Sequence, residues 1–337
     1  MKRSKLLFGF ILMLTTLLLV ACGGSNTGTG NAGETGKTYE FKMTHVTQTG
    51  HIWHKFSEKF AEELATRSDG RMKLEIFPSA QLGPEADMVQ QLSTGSLDFA
   101  LLTVPYLSTR FPELDAWNLP FLFEGYDEVL AAQNTEPAQK MLDLLSSQGL
   151  IGMDYFFTSN HNLFVKGDAI KSVEDVAGKK LRFTGGKSVL DYWTKLGASP
   201  IAMGLPEVYN AMQTGVIDGM SIDVNPMHSE KYYEIGDNYI LTNHMAFGGI
   251  VTASKTNYEN MPEEDQKIID EALAAAIEWG EKEIVKVHDE NLNNLKDLVN
   301  VVELENRDGF IEEAKKVYEE YSSQYELIKE FIDALDK

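Results

Sequence analysis

The chain is short of thiols and of positive charge, and each shortage closes off a class of function. A single cysteine, Cys22, rules out any disulfide within the chain. Lysine and arginine number 30 against 51 acidic residues, a formal net charge of −21. With no basic stripe to neutralise phosphates, nucleic acid is a poor partner, and an anionic lipid surface is equally so. A small anion is still admissible where one local positive group outweighs a background that salt screens beyond roughly 10 Å. Catalytic signatures are scarce too. There is no G-x-S-x-G elbow, and the lone thiol lies in the N-terminal segment, so nucleophilic catalysis lacks an actor. "GGKS" (185–188) lacks the earlier glycine of a phosphate loop. "HVTQTGHIWH" gathers His45, His51 and His54 near Glu58, but no partner cluster completes a metal set, so they read as surface or capping histidines.

What is present suits a globular protein of one large or two smaller domains, with 337 residues, 43% apolar and 10% aromatic. Lys2, Arg3 and Lys5 precede an apolar run from Leu6 to Val20, the pattern of a secretory signal over 1–21. "LVAC" ends at Cys22 and resembles a bacterial lipobox, which implies cleavage before Cys22, a lipid on its sulfur and an anchor in the cell membrane. The Gly-, Ser- and Thr-rich stretch that follows buries nothing apolar and reads as a flexible tether over 22–36.

From Tyr39 the chain alternates between strand and helix patterns, which predicts an α/β fold. "YEFKMTHV" and "MKLEIF" alternate as strands. Trp53, Phe56, Phe60 and Leu64 form one helical stripe, and "SLDFALLTV" reads as a buried parallel strand. A helix is expected around Asp127–Gln148, after which the pattern restarts with "IGMDYFF" as a strand. Two joints echo one another, "LSTGSLDFA" (92–100) and "MQTGVIDGM" (212–220). In each, a glycine stands where a helix end wants a left-handed residue. The repeated order predicts two similarly wound lobes. A run from Met261 to Leu298 opens on Pro262 and three acids and keeps helical phase far beyond ordinary length, enough to cross between lobes.

"KKLRFTGG" carries the strongest candidate. Arg182 ends a strand where ligands of open α/β sheets collect, and a guanidinium there grips a carboxylate with two parallel hydrogen bonds. By position alone, a surface ion pair reads equally well.

Longer stretches add to this: "KFAEELATRSDGRMKLEIFPSAQLGPEADMVQQLSTGSLDFALL", "LDAWNLPFLF", "GKKLRF", "LGASPIAMGLPEVYNAMQTGVIDG" and "KYYEIGDNYILTNH". In consistent order from about Tyr39 to Glu320, they resemble the solute-binding proteins of tripartite ATP-independent periplasmic (TRAP) transporters. The resemblance implies a two-lobed, periplasmic-binding-protein-like fold with a hinge, an interlobe cleft and a helix spanning both lobes. Lobe I would take 37–159 plus about 248–287, and lobe II about 160–247 plus 288–337. It implies capture of a small organic acid for a membrane permease, by an extracytoplasmic monomer without cofactor, metal or enzymatic activity. The family's ligand-gripping arginine falls on Arg182. Other pocket positions, carried over from sialic-acid-binding relatives, fall on Asn160, His161 or Asn162 in place of a second arginine. They fall also on Thr44, His45, Thr103, Tyr106, Gly185, Leu205 and Ile222, where charged, amide or aromatic groups have become neutral or apolar. That inventory suits a monocarboxylate, unless His161 or Lys187 supplies a second positive group. An enzyme on this scaffold would need a base such as Asp223 or a histidine. A sensor presenting the same ligand to a receptor is the other alternative.

Overall fold

Strand alternation sets the first half of the sheet. In β1 (Tyr39–His45) Tyr39, Phe41 and Met43 point into the core, and the strand pairs in parallel with β2 (Met72–Phe77) and β3 (Phe99–Thr103). The computed structural model describes residues 36–337, so the expected signal segment and Cys22 lie outside the described residues. Between β1 and β2, the helix Ile52–Arg67 buries its stripe of Trp53, Phe56, Phe60 and Leu64. The strand expected at "IGMDYFF" runs on past Phe157 as β4, Leu150–Val165. Register shifts at Gly152/Asp154, Phe157/Ser159 and His161/Leu163 turn polar residues inward there, as bulges do. Next come β5 (Lys180–Phe183), β6 (Ser199–Ala202) and β7 (Gly219–Ile222), a second parallel set. The long β8 (Asn238–Ser254) returns, and β9 (Asn300–Glu303) adds to it.

The strand order is β2-β1-β3-β8-β4-β7-β5-β6. β3 and β7 are each antiparallel to a long neighbour, and β4 and β8 run antiparallel to each other from one parallel set to the other. The sheet is therefore mixed, and its two outer sets are joined by two continuous crossing strands. Gly95 and Gly215 both adopt φ 76° at a helix end, so the two echoed joints are the same turn made twice.

The helix expected over Asp127–Gln148 is broken into Tyr126–Ala132, Glu136–Asp143 and a 3-10 turn at Leu144–Gln148. Pro137 has no N–H for a helix interior, and it sits in the first turn of the second helix, where none is needed. The C-terminal run is one helix, Glu263–Leu295, with Glu263, Glu264 and Asp265 at its positive end. It packs on the helix Ile52–Arg67 and on the short helix Val224–Ser229, so it touches elements from both outer sets. Gly280 permits the close approach: a Cβ there would lie 2.5 Å from the ring of Phe156, which itself stacks on Phe56 at 4.3 Å.

Helix propensity alone predicts that Gly280→Ala stabilises by about 1 kcal/mol. The contact with Phe156 reverses the sign, since overpacking costs about 1–3 kcal/mol. Urea denaturation of the variant should give a lower midpoint than the parent.

Candidate functional site

Four strands, two from each parallel set, end at one cavity. Val46 and Thr47 follow β1, Thr103 ends β3, Arg182 and Thr184 lie at the end of β5, and Ile222 ends β7. Glu85 and Leu205 open the helices Glu85–Thr94 and Leu205–Gln213, while His161 and Phe247 come from the crossing strands β4 and β8. The atom-free space here, counting any that is open to solvent, is about 350 Å³. Carboxyl ends of strands are where open α/β sheets place ligands.

Arg182 is 1% exposed, which removes the surface-pair alternative. Its Nε donates to the Met203 carbonyl (2.9 Å) and Nη1 to the Ser221 carbonyl (3.4 Å), while Nη2 has no partner among the described residues. Burial lowers its pKa to about 10, against the opposing pull of Tyr232, Glu85 and Glu207, so it stays charged at neutral pH. Carbonyl partners hold the fork in place without neutralising it. The charge is left for an anion.

Glu85 shares the cavity. The residue as a whole is partly exposed at its helix start, but its carboxylate turns inward, accepting from the Thr103 N–H (2.7 Å) and hydroxyl (3.2 Å). Burial pushes this carboxyl up to about 7, with Thr103 and then Arg182 pulling it back. His161 lies flat on Phe247, with ring centroids 4.1 Å apart, and its Nδ1 meets Ser221 Oγ at 2.8 Å. Nε2 of His161 has no partner among the described residues.

Of the residues singled out from the sequence, Thr103, His161, Arg182, Leu205 and Ile222 line this cavity. The rest do not. Thr44 gives its hydroxyl to the Phe77 carbonyl, and His45 is buried between Thr47 and His54. Tyr106 accepts from Arg110. Asn162 donates to the Tyr239 hydroxyl and accepts from the Asn243 N–H. Asn160 borders a different pocket, with Tyr126, Asn243 and His288. Gly185 sits against the backbone of Pro105, whose carbonyl oxygen a Cβ would meet at 2.7 Å. Lys187 pairs with Asp191 on the surface, so it supplies no second charge to the cavity. His45 and His51 prove buried, and His51 caps its helix by accepting from the Trp53 N–H. Asp223 is fully buried, bound to Thr158 at 2.8 Å, and is not part of the cavity wall. Glu85, Thr47 and Phe247 carried no sequence signal of a site. Glu85 in particular reads as an acid favouring a helix N-terminus.

A cavity at the strand ends, walled by both parallel sets and by the strands that cross between them, defines a solute-binding protein of the periplasmic type. The chain belongs to the bacterial extracellular solute-binding protein family 7 (DctP), whose model matches residues 43–324. This is an extracytoplasmic solute-binding family, not an enzyme family. The chain is 23% identical over 299 residues to the C4-dicarboxylate-binding protein DctB of Bacillus subtilis, covering 87% of this chain and 85% of that one. It is 28% identical to the sialic acid-binding periplasmic protein SiaP of Vibrio cholerae, covering 69% and 72%. Among solved structures, the sugar acid binding protein DctPAm of Advenella mimigardefordensis, in complex with galactonate, superposes with a TM-score of 0.85. Identity there is 26%, covering 89% of this chain and 98% of that one.

Glu85 also makes stability depend on pH. Its folded pKa of about 7 lies above the ordinary carboxyl value of 4.5, so the folded state binds more protons between those limits. Stability should therefore fall as pH rises from about 4.5 to 7, by up to about 1.4 kcal/mol per unit for this group. Asp154 and Asp223, each raised to about 6 by burial, act in the same direction. Glu85→Gln should flatten the decline, as read from denaturation midpoints across that range.

Proposed function

We propose that this protein captures a small organic acid with one carboxylate, closes around it, and delivers it to a TRAP-type membrane permease. The observation that carries this reading is the buried, charged Arg182, held by carbonyls and with Nη2 unpartnered at the cavity. A guanidinium so placed receives a carboxylate with charge-assisted bonds. The relatives named above bind galactonate, C4-dicarboxylates and sialic acid, so carboxylates are their shared feature. Here the cavity has one cation, and the inward carboxylate of Glu85 disfavours a second negative group on the ligand. Ligand hydroxyls suit Glu85 as an acceptor, which favours a hydroxy or sugar acid over a dicarboxylate.

The lobes are 37–159 with about 248–287, and about 160–247 with 288–337. Their boundaries at 159/160 and 247/248 fall inside the crossing strands, beside a register shift of β4. Bending there brings Arg182 and Ile222 of one lobe against Glu85 and Thr103 of the other. Closure then strengthens the ion pair by excluding water. Cys22 carries the lipid that holds the mature, monomeric protein at the outer face of the membrane.

Thermal-shift screening against galactonate, sialic acid, succinate and simple hydroxy acids tests the ligand class, because a ligand at 100 times its Kd stabilises by about 2.7 kcal/mol. Monocarboxylates should shift the midpoint and succinate should not. With a monocarboxylate found in this way, Arg182→Ala should weaken binding by about 2 kcal/mol or more, some thirtyfold, in calorimetry. Undiminished affinity would sink the assignment. Cys22→Ser should move the protein from the membrane fraction to the soluble one.

A further inference from the structure

Behind the cavity wall runs a chain of side chains that the binding reading does not use. Thr242 Oγ1 lies 2.7 Å from His244 Nδ1, His244 Nε2 lies 2.8 Å from Ser221 Oγ, and Ser221 Oγ lies 2.8 Å from His161 Nδ1. Beyond it, His161 Nε2 is unpartnered on a residue of the cavity wall. All four residues are buried, Thr242, Ser221 and His244 completely. We propose that Ser221, His244 and Thr242 are positioning residues that hold His161 as a neutral imidazole with its proton on Nε2, so that beside Arg182 the cavity offers a hydrogen-bond donor for an oxygen of the bound acid. This rests on the carboxylate-binding reading and narrows it to acids with an acceptor oxygen (carbonyl, hydroxyl or carboxylate) at that point.

The protons available in this chain limit its hydrogen-bond directions. Burial drives both imidazoles well below their ordinary pKa, His244 to about 3, and for His161 the neighbouring His244 and Arg182 add to the effect. Each ring is then neutral, with one N–H and one lone pair. Ser221 has a single hydroxyl proton, so it donates to one ring and accepts from the other. Two arrangements satisfy the three contacts. In the first, Thr242 donates to His244 Nδ1, His244 Nε2–H donates to Ser221, and Ser221 donates to His161 Nδ1, which leaves N–H on His161 Nε2. In the second every bond is reversed, His161 offers a lone pair, and the Thr242 proton points away from His244. Each arrangement leaves one donor without a protein partner: the first leaves His161 Nε2–H, on the cavity wall where water or the bound acid can accept it, and the second leaves the Thr242 hydroxyl, whose oxygen has no other partner among the described residues. A donor that faces a cavity an acceptor can enter is less costly than one sealed within the protein, so the first arrangement should dominate. The hydroxyl at the far end therefore sets what the cavity presents.

The test is nitrogen-15 NMR of the histidine rings in the ligand-free protein, which needs no knowledge of the bound acid. Wild-type protein should show His161 and His244 both neutral and both protonated on Nε2. Ser221→Ala disconnects His161 and should give it a mixture of tautomers, while Thr242→Ser, which keeps the hydroxyl, should retain the single form. A wild-type His161 carrying its proton on Nδ1, or protonated on both nitrogens at pH 7, would overturn the proposal even if Arg182 still binds acids. So would Ser221→Ala protein that keeps the Nε2 form alone. If that variant does not fold, the wild-type spectrum decides.

Discussion

A guanidinium almost without water around it is costly, and the site is built around meeting that cost. Arg182 is kept charged because carbonyls of Met203 and Ser221 satisfy two of its donors without neutralising it. A carboxylate placed against it would have made a self-contained ion pair and left nothing to attract a ligand. Glu85 comes near enough to be felt, yet it is held by Thr103 instead. A guanidinium and a carboxyl raised to about 7 thus share one cavity without forming an ion pair. That arrangement is stable only while the strands that carry them keep their places.

The sheet supplies that constraint. β1 and β3 bring one wall, β5 and β7 the other, and each wall is a parallel set whose strand ends meet at the cavity. The two sets are not separate bodies joined by loops. β4 and β8 run through both, and the helix Glu263–Leu295 lies across elements of each. A change of angle between the sets must then be absorbed within extended strands, where the irregular register of β4 offers the least regular hydrogen bonding. His161 and Phe247 stand on those same crossing strands, so any bending displaces cavity residues directly. Beside the cavity, Ser188 N–H donates to the buried Asp115 at 2.6 Å, and Gly185 packs on Pro105. These contacts tie the turn after β5 to the opposite wall.

Much of the architecture was legible because its causes are local. The stripe on Ile52–Arg67, the alternation in Met72–Phe77 and the glycines at 95 and 215 each follow from spacing or from a single backbone requirement. Arg182 was legible only through the family resemblance, because by position alone a surface ion pair explains a basic residue at a strand end equally well. Residues 160–162 were harder. Which of Asn160, His161 and Asn162 faces the cavity depends on bulges on either side, and one extra residue reverses the faces of all that follow. The structure places His161 inward and gives Asn162 to Tyr239 and Asn243. Glu85 was invisible for another reason: an acid in the first turn of a helix is expected whatever its tertiary role. The pairing of Ser221, His244 and Thr242 with His161 joins three strands, β4, β7 and β8, and no spacing rule reaches that far.

The central claim is that Arg182 holds the acid. A crystal structure of the protein with a monocarboxylate bound tests it most directly. The account predicts both carboxylate oxygens on the guanidinium at roughly 2.7–2.9 Å, within the cavity lined by Thr103, His161 and Ile222. An acid bound elsewhere, or an Arg182 side chain turned out to solvent in the complex, would contradict it.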